Sequence, residues 1–108
     1  MRRRVDAQVF SLCDVLLTPT VSERPQELPV IGERSAIPAL LASLPMVAFC
    51  GLWNVTGHPA AAVPSGFAED GLPTSVQLVG GYGEETTLLS LAAQLESTRP
   101  WADRRPRL

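Results

Sequence analysis

The pattern of apolar and polar positions predicts an amphipathic helix near each end of the chain. Over residues 3–13, apolar side chains recur at helical spacing and arginines occupy the other face. The second helix, over 84–98, begins with two glutamates, whose carboxylates suit the positive end of the helix dipole. Pro100 ends this helix, because a residue that precedes proline is disfavoured in helical conformations. Its apolar stripe consists of Leu88, Leu91 and Leu95.

Three short runs of mostly apolar residues predict β-strands, at 14–18, 60–64 and 74–80. Prolines bound the first two runs, and a hairpin-like turn joins the second to the third. Strands that are apolar on both faces belong in the interior of a sheet that is covered on two sides. The two predicted terminal helices are too few for that cover, and the strands carry little charge to protect an open edge. We therefore expect the chain to self-associate, to be molten, or to depend on a partner chain.

The middle of the chain is predicted to consist of a loop followed by short helices. Residues 19–38 contain four prolines and read as a long ordered loop. The apolar stretch 39–54 holds one or two short helices around a break at Pro45. Gly57-His58-Pro59 then predicts a turn that leads into the second strand.

Composition narrows the functional classes. The 108-residue chain is 45% hydrophobic and carries a net charge of −2, so it has no general attraction for nucleic acid or an anionic membrane. The N-terminal segment does not fit a signal peptide and no apolar run is long enough to span a bilayer, so a cytoplasmic location is expected. Nine arginines are present without a single lysine, which excludes lysine bases and Schiff bases within this chain. Two cysteines and one histidine are too few for a disulfide framework or a metal centre, and no cofactor is expected.

Candidate chemistry within the chain is weak. Ser65, in Val63-Pro64-Ser65-Gly66, lies outside any nucleophile elbow and is best interpreted as a turn residue. Cys50 and His58 could form a nucleophile and base, but their spacing does not enforce contact and Cys50 lies in an apolar run. Gly81-Tyr82-Gly83 precedes a helix as a phosphate loop would, yet two glutamates follow it and would repel an anion. We assign no catalytic residue to this chain.

Four segments together resemble the C-terminal quarter of the amidase signature family. In order, they are Asp14-Val15-Leu16-Leu17-Thr18-Pro19-Thr20, Trp53-Asn54-Val55-Thr56-Gly57-His58-Pro59-Ala60, Val63-Pro64-Ser65-Gly66, and Gly71-Leu72-Pro73 through Val76-Gln77-Leu78-Val79-Gly80. Each motif is short, and the resemblance rests on their order and spacing over residues 3–106.

The resemblance implies an α/β fold: a partial mixed, mainly parallel sheet with flanking helices, with residues 1–108 forming the C-terminal segment of an amidase domain. Members of the family hydrolyse carbon–nitrogen bonds with a Ser–cis-Ser–Lys set, which this chain lacks. The loop 20–37 and the segment 46–53 are then expected to face a small amide substrate in the complete enzyme. Val47 and Phe49 are the expected substrate-binding residues. Val47 stands where the glutamine-using relatives carry an aspartate, so this apolar wall favours a general amidase.

Three hypotheses follow for the function of the chain. In the first, it supplies scaffold and pocket wall to an amidase, is inactive alone, and requires the N-terminal amidase portion or another amidase chain as its partner. In the second, it is a small binding or assembly module that is derived from the amidase fold. In the third, it is an independent small enzyme that uses Cys50 or Ser65.

Overall fold

A computed structural model describes residues 1–25 and 35–104. Helix α1 (Arg2–Val5) continues into a π-helical turn (Asp6–Phe10) and is followed by β1 (Val15–Pro19). Helix α2 (Ala36–Ser43), a 3₁₀ turn (Pro45–Val47) and helix α3 (Ala48–Thr56) form the middle of the chain. Strands β2 (Ala60–Phe67) and β3 (Pro73–Gly80) precede the last helix, α4 (Glu85–Thr98).

The three strands form an antiparallel sheet in the order β1-β3-β2. The prediction of a mainly parallel sheet is therefore wrong for this part of the chain. The apolar runs show burial on both faces but contain no information about strand direction. The connection between β2 and β3 spans only residues 68–72, which suits a hairpin and is far too short for a parallel crossover. Strands β1 and β2 run in the same direction, but β3 lies between them.

Helices cover parts of both faces of the sheet, as the two-sided apolar strands predict. On one face, Leu88 of α4 packs against Val63 and Leu78, and these three side chains form the buried core cluster. On the other face, α3 packs on β3 through the side chain of Gln77. Val79, on the same face as Gln77, is completely buried.

Helix α4 follows its predicted bounds and approaches β3 closely. A side chain at Gly80 would place its Cβ only 3.3 Å from Cγ of Leu88, so glycine permits this approach. Within the predicted stripe Leu88 is buried and Leu91 is partly buried, whereas Leu95 is exposed. The stripe therefore packs through its N-terminal half.

The end of α3 confirms the predicted turn at Gly57-His58-Pro59. Gly57 adopts φ 75°, a left-handed conformation that glycine tolerates without a Cβ penalty. Its N–H donates to the carbonyl oxygen of Trp53 at 2.8 Å, which completes the last helical turn. The N–H of Gly80 then donates to the carbonyl of Pro59 at 3.0 Å and joins the turn to β3.

The remaining predicted helices differ from the structure in detail. The helix expected over 3–13 ends at Phe10 and changes to π-helical geometry at Asp6. The middle segment forms two helices around Pro45, and the first of them begins at Ala36. The predicted loop 19–38 is therefore shorter at its C-terminal end, and residues 26–34 lie outside the described part.

The molecule is flat and exposes more surface than a complete domain of this mass. Its extents are 44 × 37 × 18 Å and its radius of gyration is 16.2 Å. A compact chain of this length has a radius of gyration of about 13 Å. The accessible surface is 8113 Å², against about 5,800 Å² for a folded monomer of the same mass. The sheet and its helices therefore form a thin layer with a large uncovered area.

Candidate functional site

The two predicted substrate-binding residues lie at the start of α3. Val47 ends the 3₁₀ turn and is 51% exposed, and Phe49 lies in the first turn of α3 and is 36% exposed. Both side chains are therefore free to contact another group. Trp53, in the same predicted segment 46–53, is buried, so only part of that segment is available. Substrate binding by Val47 and Phe49 stays a prediction.

A buried amide lies directly beneath this end of α3. Gln77 on β3 is 4% exposed, and its Nε2 donates to the carbonyl oxygen of Phe49 and to Oγ1 of Thr18, both at 3.0 Å. Thr18 faces Gln77 directly in the register of β1 and β3. The Sγ of Cys50 lies 3.6 Å from Oε1 of Gln77 and 3.4 Å from the carbonyl of Thr20. Polar atoms of β1, β3 and α3 therefore meet at one side chain.

A second buried cluster surrounds the imidazole of His58, whose side chain is 0% exposed. Nε2 lies 2.9 Å from Oδ1 of Asp6, and Nδ1 lies 2.8 Å from Oγ1 of Thr56. The ring stacks on Phe10 at 5.1 Å between centroids and meets the edge of Trp53 at 5.9 Å. This cluster joins the π-helical turn to the end of α3 across 52 residues of sequence.

Each of the two imidazole nitrogens of His58 lies within hydrogen-bonding distance of a neighbouring side chain. The hydroxyl of Thr56 also donates to the carbonyl of Leu52 at 2.8 Å, and its oxygen lies 2.8 Å from Nδ1 of His58. The other ring nitrogen, Nε2, faces Oδ1 of Asp6 at 2.9 Å. Both ring nitrogens are consequently occupied by structural partners, and neither is free to act as a base.

The structure does not bring Cys50 and His58 together as a nucleophile and base, since each bonds to different partners. Ser65 lies within β2, at the register shift between Pro64 and Gly66, so its interpretation as a turn residue is wrong; its hydroxyl donates to Oγ1 of Thr74 on β3 at 2.9 Å. In the turn before α4, Glu84 accepts a hydrogen bond from the Thr87 hydroxyl at 2.7 Å. Its carboxylate therefore lies at the start of the helix, where a phosphate loop would bind an anion.

The structure bears on metal binding and on membrane insertion through residues 1–25 and 35–104. That part of the chain contains no group of three or more His, Cys, Asp or Glu side chains arranged to hold a metal ion. No single helix in it has the length and apolar character to cross a membrane; the bent pair Ala36–Ser43 and Pro45–Thr56 meets both criteria only when taken together.

The polar network around Gln77 was not predicted from the sequence. In the sequence, Gln77 is the one polar residue in the run 76–80, the apolar part of the predicted strand 74–80. A buried amide needs hydrogen-bond partners, so this position carried a signal. Its partners could not be named, because they come from β1 and α3.

The chain forms one layer of an α/β protein. An apolar wall lies at the start of α3, and the buried polar side chains hold neighbouring elements together. The family model described as Amidase matches residues 1–89. The chain therefore belongs to the amidase family.

The relatives are much longer than this chain. A putative amidase AmiB2 of Mycobacterium tuberculosis is 49% identical over 98 residues, which cover 91% of this chain and 21% of that protein. The 6-aminohexanoate-cyclic-dimer hydrolase of Paenarthrobacter ureafaciens is 41% identical over 104 residues, covering 88% of this chain and 21% of that protein. A solved structure of a 6-aminohexanoate cyclic dimer hydrolase complexed with substrate matches with a TM-score of 0.81 and 35% identity, over 97% of this chain and 24% of that one. The chain thus spans about a fifth of the length of the curated relatives it matches.

Proposed function

We propose that residues 1–108 form the C-terminal segment of an amidase that hydrolyses carbon–nitrogen bonds, and that this segment has no turnover by itself. It supplies scaffold and one wall of the substrate pocket, and the remaining amidase portion supplies the catalytic groups. Membership of the amidase family supports the reaction class. The matched segments make up only 21% of the length of these relatives, which supports the need for a further portion.

The observation that carries this proposal is the uncovered apolar surface. Helix α2 and the residue that follows it expose several large aliphatic side chains: Ile37, Leu40, Leu41 and Leu44. Leu17 of β1 is also exposed, although its neighbours Leu16 and Thr18 are partly buried. Monomers rarely expose contiguous apolar patches larger than a few hundred Å². The remaining amidase portion is the natural cover for it.

The chain's own contribution to catalysis is then binding. Val47 and Phe49 offer apolar side chains to a small amide substrate and keep water from that side of the pocket. An apolar wall suits a substrate without a charged amino group at this position, because an unpaired charge is costly to bury. Cys13 and Cys50 are free thiols, which supports work in the reducing cytoplasm.

Complementation tests this proposal. The part of AmiB2 that lies outside the matched segment is produced as one chain, and the 108-residue chain is added to it or fused to it. We expect each part alone to leave a panel of simple aryl and alkyl amides unchanged, and the pair or the fusion to hydrolyse at least one of them. Turnover by the 108-residue chain alone that is lost in Ser65→Ala or Cys50→Ala would instead establish an independent small enzyme.

A second outcome separates the scaffold role from an assembly role. Tight binding of the two parts without any turnover, in a mixture whose AmiB2 portion is folded, would favour a binding or assembly module. The exposed surface of α2 supports either role, so activity of the pair is the deciding measurement.

A further inference from the structure

We infer that Gln77 is a positioning residue for the pocket wall: its buried amide holds the start of α3, and therefore Val47 and Phe49, against the sheet. This inference rests on the proposed function for its effect on substrate choice. Its effect on the position of α3 is measured by a labelling reaction that does not require turnover.

The orientation of the Gln77 amide follows from its partners. The carbonyl oxygen of Phe49 can only accept a hydrogen bond, so the amide nitrogen must face it. The second hydrogen on Nε2 points to Oγ1 of Thr18. The remaining amide oxygen then lies toward the Sγ of Cys50, a weak donor. Each hydrogen of the amide nitrogen therefore has an acceptor, and only one orientation of the amide satisfies all three neighbours.

This arrangement connects the centre of the sheet to one end of a helix. Gln77 lies on the middle strand, which is paired with a neighbour on both sides. The Phe49 carbonyl lies in the first turn of α3, immediately after the 3₁₀ turn that carries Val47. Breaking this hydrogen bond would leave a buried amide hydrogen of Gln77 without an acceptor, which is costly. The start of the helix is therefore held at hydrogen-bonding distance from Gln77.

The first test measures the position of α3 through the reactivity of Cys50, in a Cys13→Ser background so that one thiol reports. Gln77→Met keeps the length and volume of the side chain and removes every hydrogen bond. Gln77→Glu keeps an acceptor toward Cys50 and loses the amide donors, but its carboxylate disfavours the reactive thiolate of Cys50. We expect Gln77→Met to raise the rate of thiol labelling by about tenfold, the typical consequence of losing a buried hydrogen bond, and Gln77→Glu to raise it less. The matched control is Leu88→Ala, which weakens the opposite face of the sheet and leaves the Gln77 contacts intact.

Global unfolding must be separated from local release of α3. Labelling is therefore compared under conditions in which Gln77→Met and Leu88→Ala have the same folded fraction, and only the Gln77 variants should label faster. If Gln77→Met does not fold, Thr18→Val removes one acceptor alone and should give a smaller increase. Labelling at the control rate in Gln77→Met, or in Thr18→Val when Gln77→Met is unfolded, overturns the inference.

The second test measures substrate choice in the complemented amidase. Gln77→Met should change the ratio of kcat/KM between a small and a bulky amide, because the wall formed by Val47 and Phe49 is displaced. Leu88→Ala should lower the amount of active enzyme and leave that ratio unchanged. An unchanged ratio in Gln77→Met overturns its role in specificity. Absence of activity with the unmodified chain refutes the proposed function instead, and the labelling result then decides the positioning claim by itself.

Discussion

The substitution Leu88→Ala tests the packing of α4 on the sheet most directly. Leu88 is 3% exposed and belongs to the core cluster with Val63 and Leu78. Alanine removes three carbon atoms from this site, which at about 0.8 kcal/mol for each gives about 2.4 kcal/mol of lost transfer free energy. The cavity that remains adds to this cost, so the free energy of unfolding should fall by about 3–4 kcal/mol.

The matched control is Leu89→Ala, in which the same side chain is removed one position later. Leu89 is 69% exposed, so its loss should change the free energy of unfolding by less than about 0.5 kcal/mol. Urea unfolding of the complemented amidase that carries either variant, followed by far-ultraviolet circular dichroism and by tryptophan fluorescence, measures both costs. Equal costs for the two substitutions, or a larger cost for Leu89, would show that a different face of α4 packs on the sheet and would refute this reasoning.

Three further outcomes are expected. Exchanging Val47 or Phe49 for alanine in the complemented amidase should alter substrate preference and change the melting temperature of the chain little, and unfolding without a change in specificity would contradict the pocket assignment. His58→Gln should lower the free energy of unfolding by about 1–3 kcal/mol, because it breaks the buried bonds to Asp6 and Thr56; hydrogen exchange at residues 2–10 measures the release of the N-terminal turn, and unchanged protection there would argue against the tether. Size-exclusion chromatography with light scattering should show self-association or a broad thermal transition for the isolated chain, whereas a sharp melt of a monodisperse monomer would contradict the fragment interpretation.

The positions of the strands were predictable because a buried strand requires a short run of apolar residues in the sequence. The apolar runs 14–18, 60–64 and 74–80 correspond to β1, β2 and β3 with small differences in their ends. The direction of pairing was not predictable in this way, since a strand that is buried on both faces can have the same amino-acid composition in a parallel and in an antiparallel sheet. The short β2–β3 connection was the informative feature, and it indicates a hairpin.

The candidate site was predictable only in its exposed part. Val47 and Phe49 were selected by resemblance to a family, and the structure places both at one end of α3. The support beneath them depends on three elements that are far apart in sequence: Gln77 lies 28 residues from Phe49 and 59 from Thr18. Local patterns describe neighbours along the chain, so contacts of this kind become visible only after folding.

The size of the uncovered surface helps to separate the scaffold hypothesis from the assembly hypothesis. The accessible surface of 8113 Å² exceeds that of a compact monomer of this mass by about 2,300 Å². A standard interface between separate proteins buries about 800 Å² on each partner, and obligate interfaces bury about 1,000–2,500 Å² or more on each. The excess surface of this chain is therefore well above that of a standard interface and falls in the range of obligate ones. The large exposed side chains on α2 are apolar. In this they resemble the side chains in the interior of a domain, where charged residues are rare. This favours cover by the remaining portion of one amidase domain over the reversible binding of a separate partner.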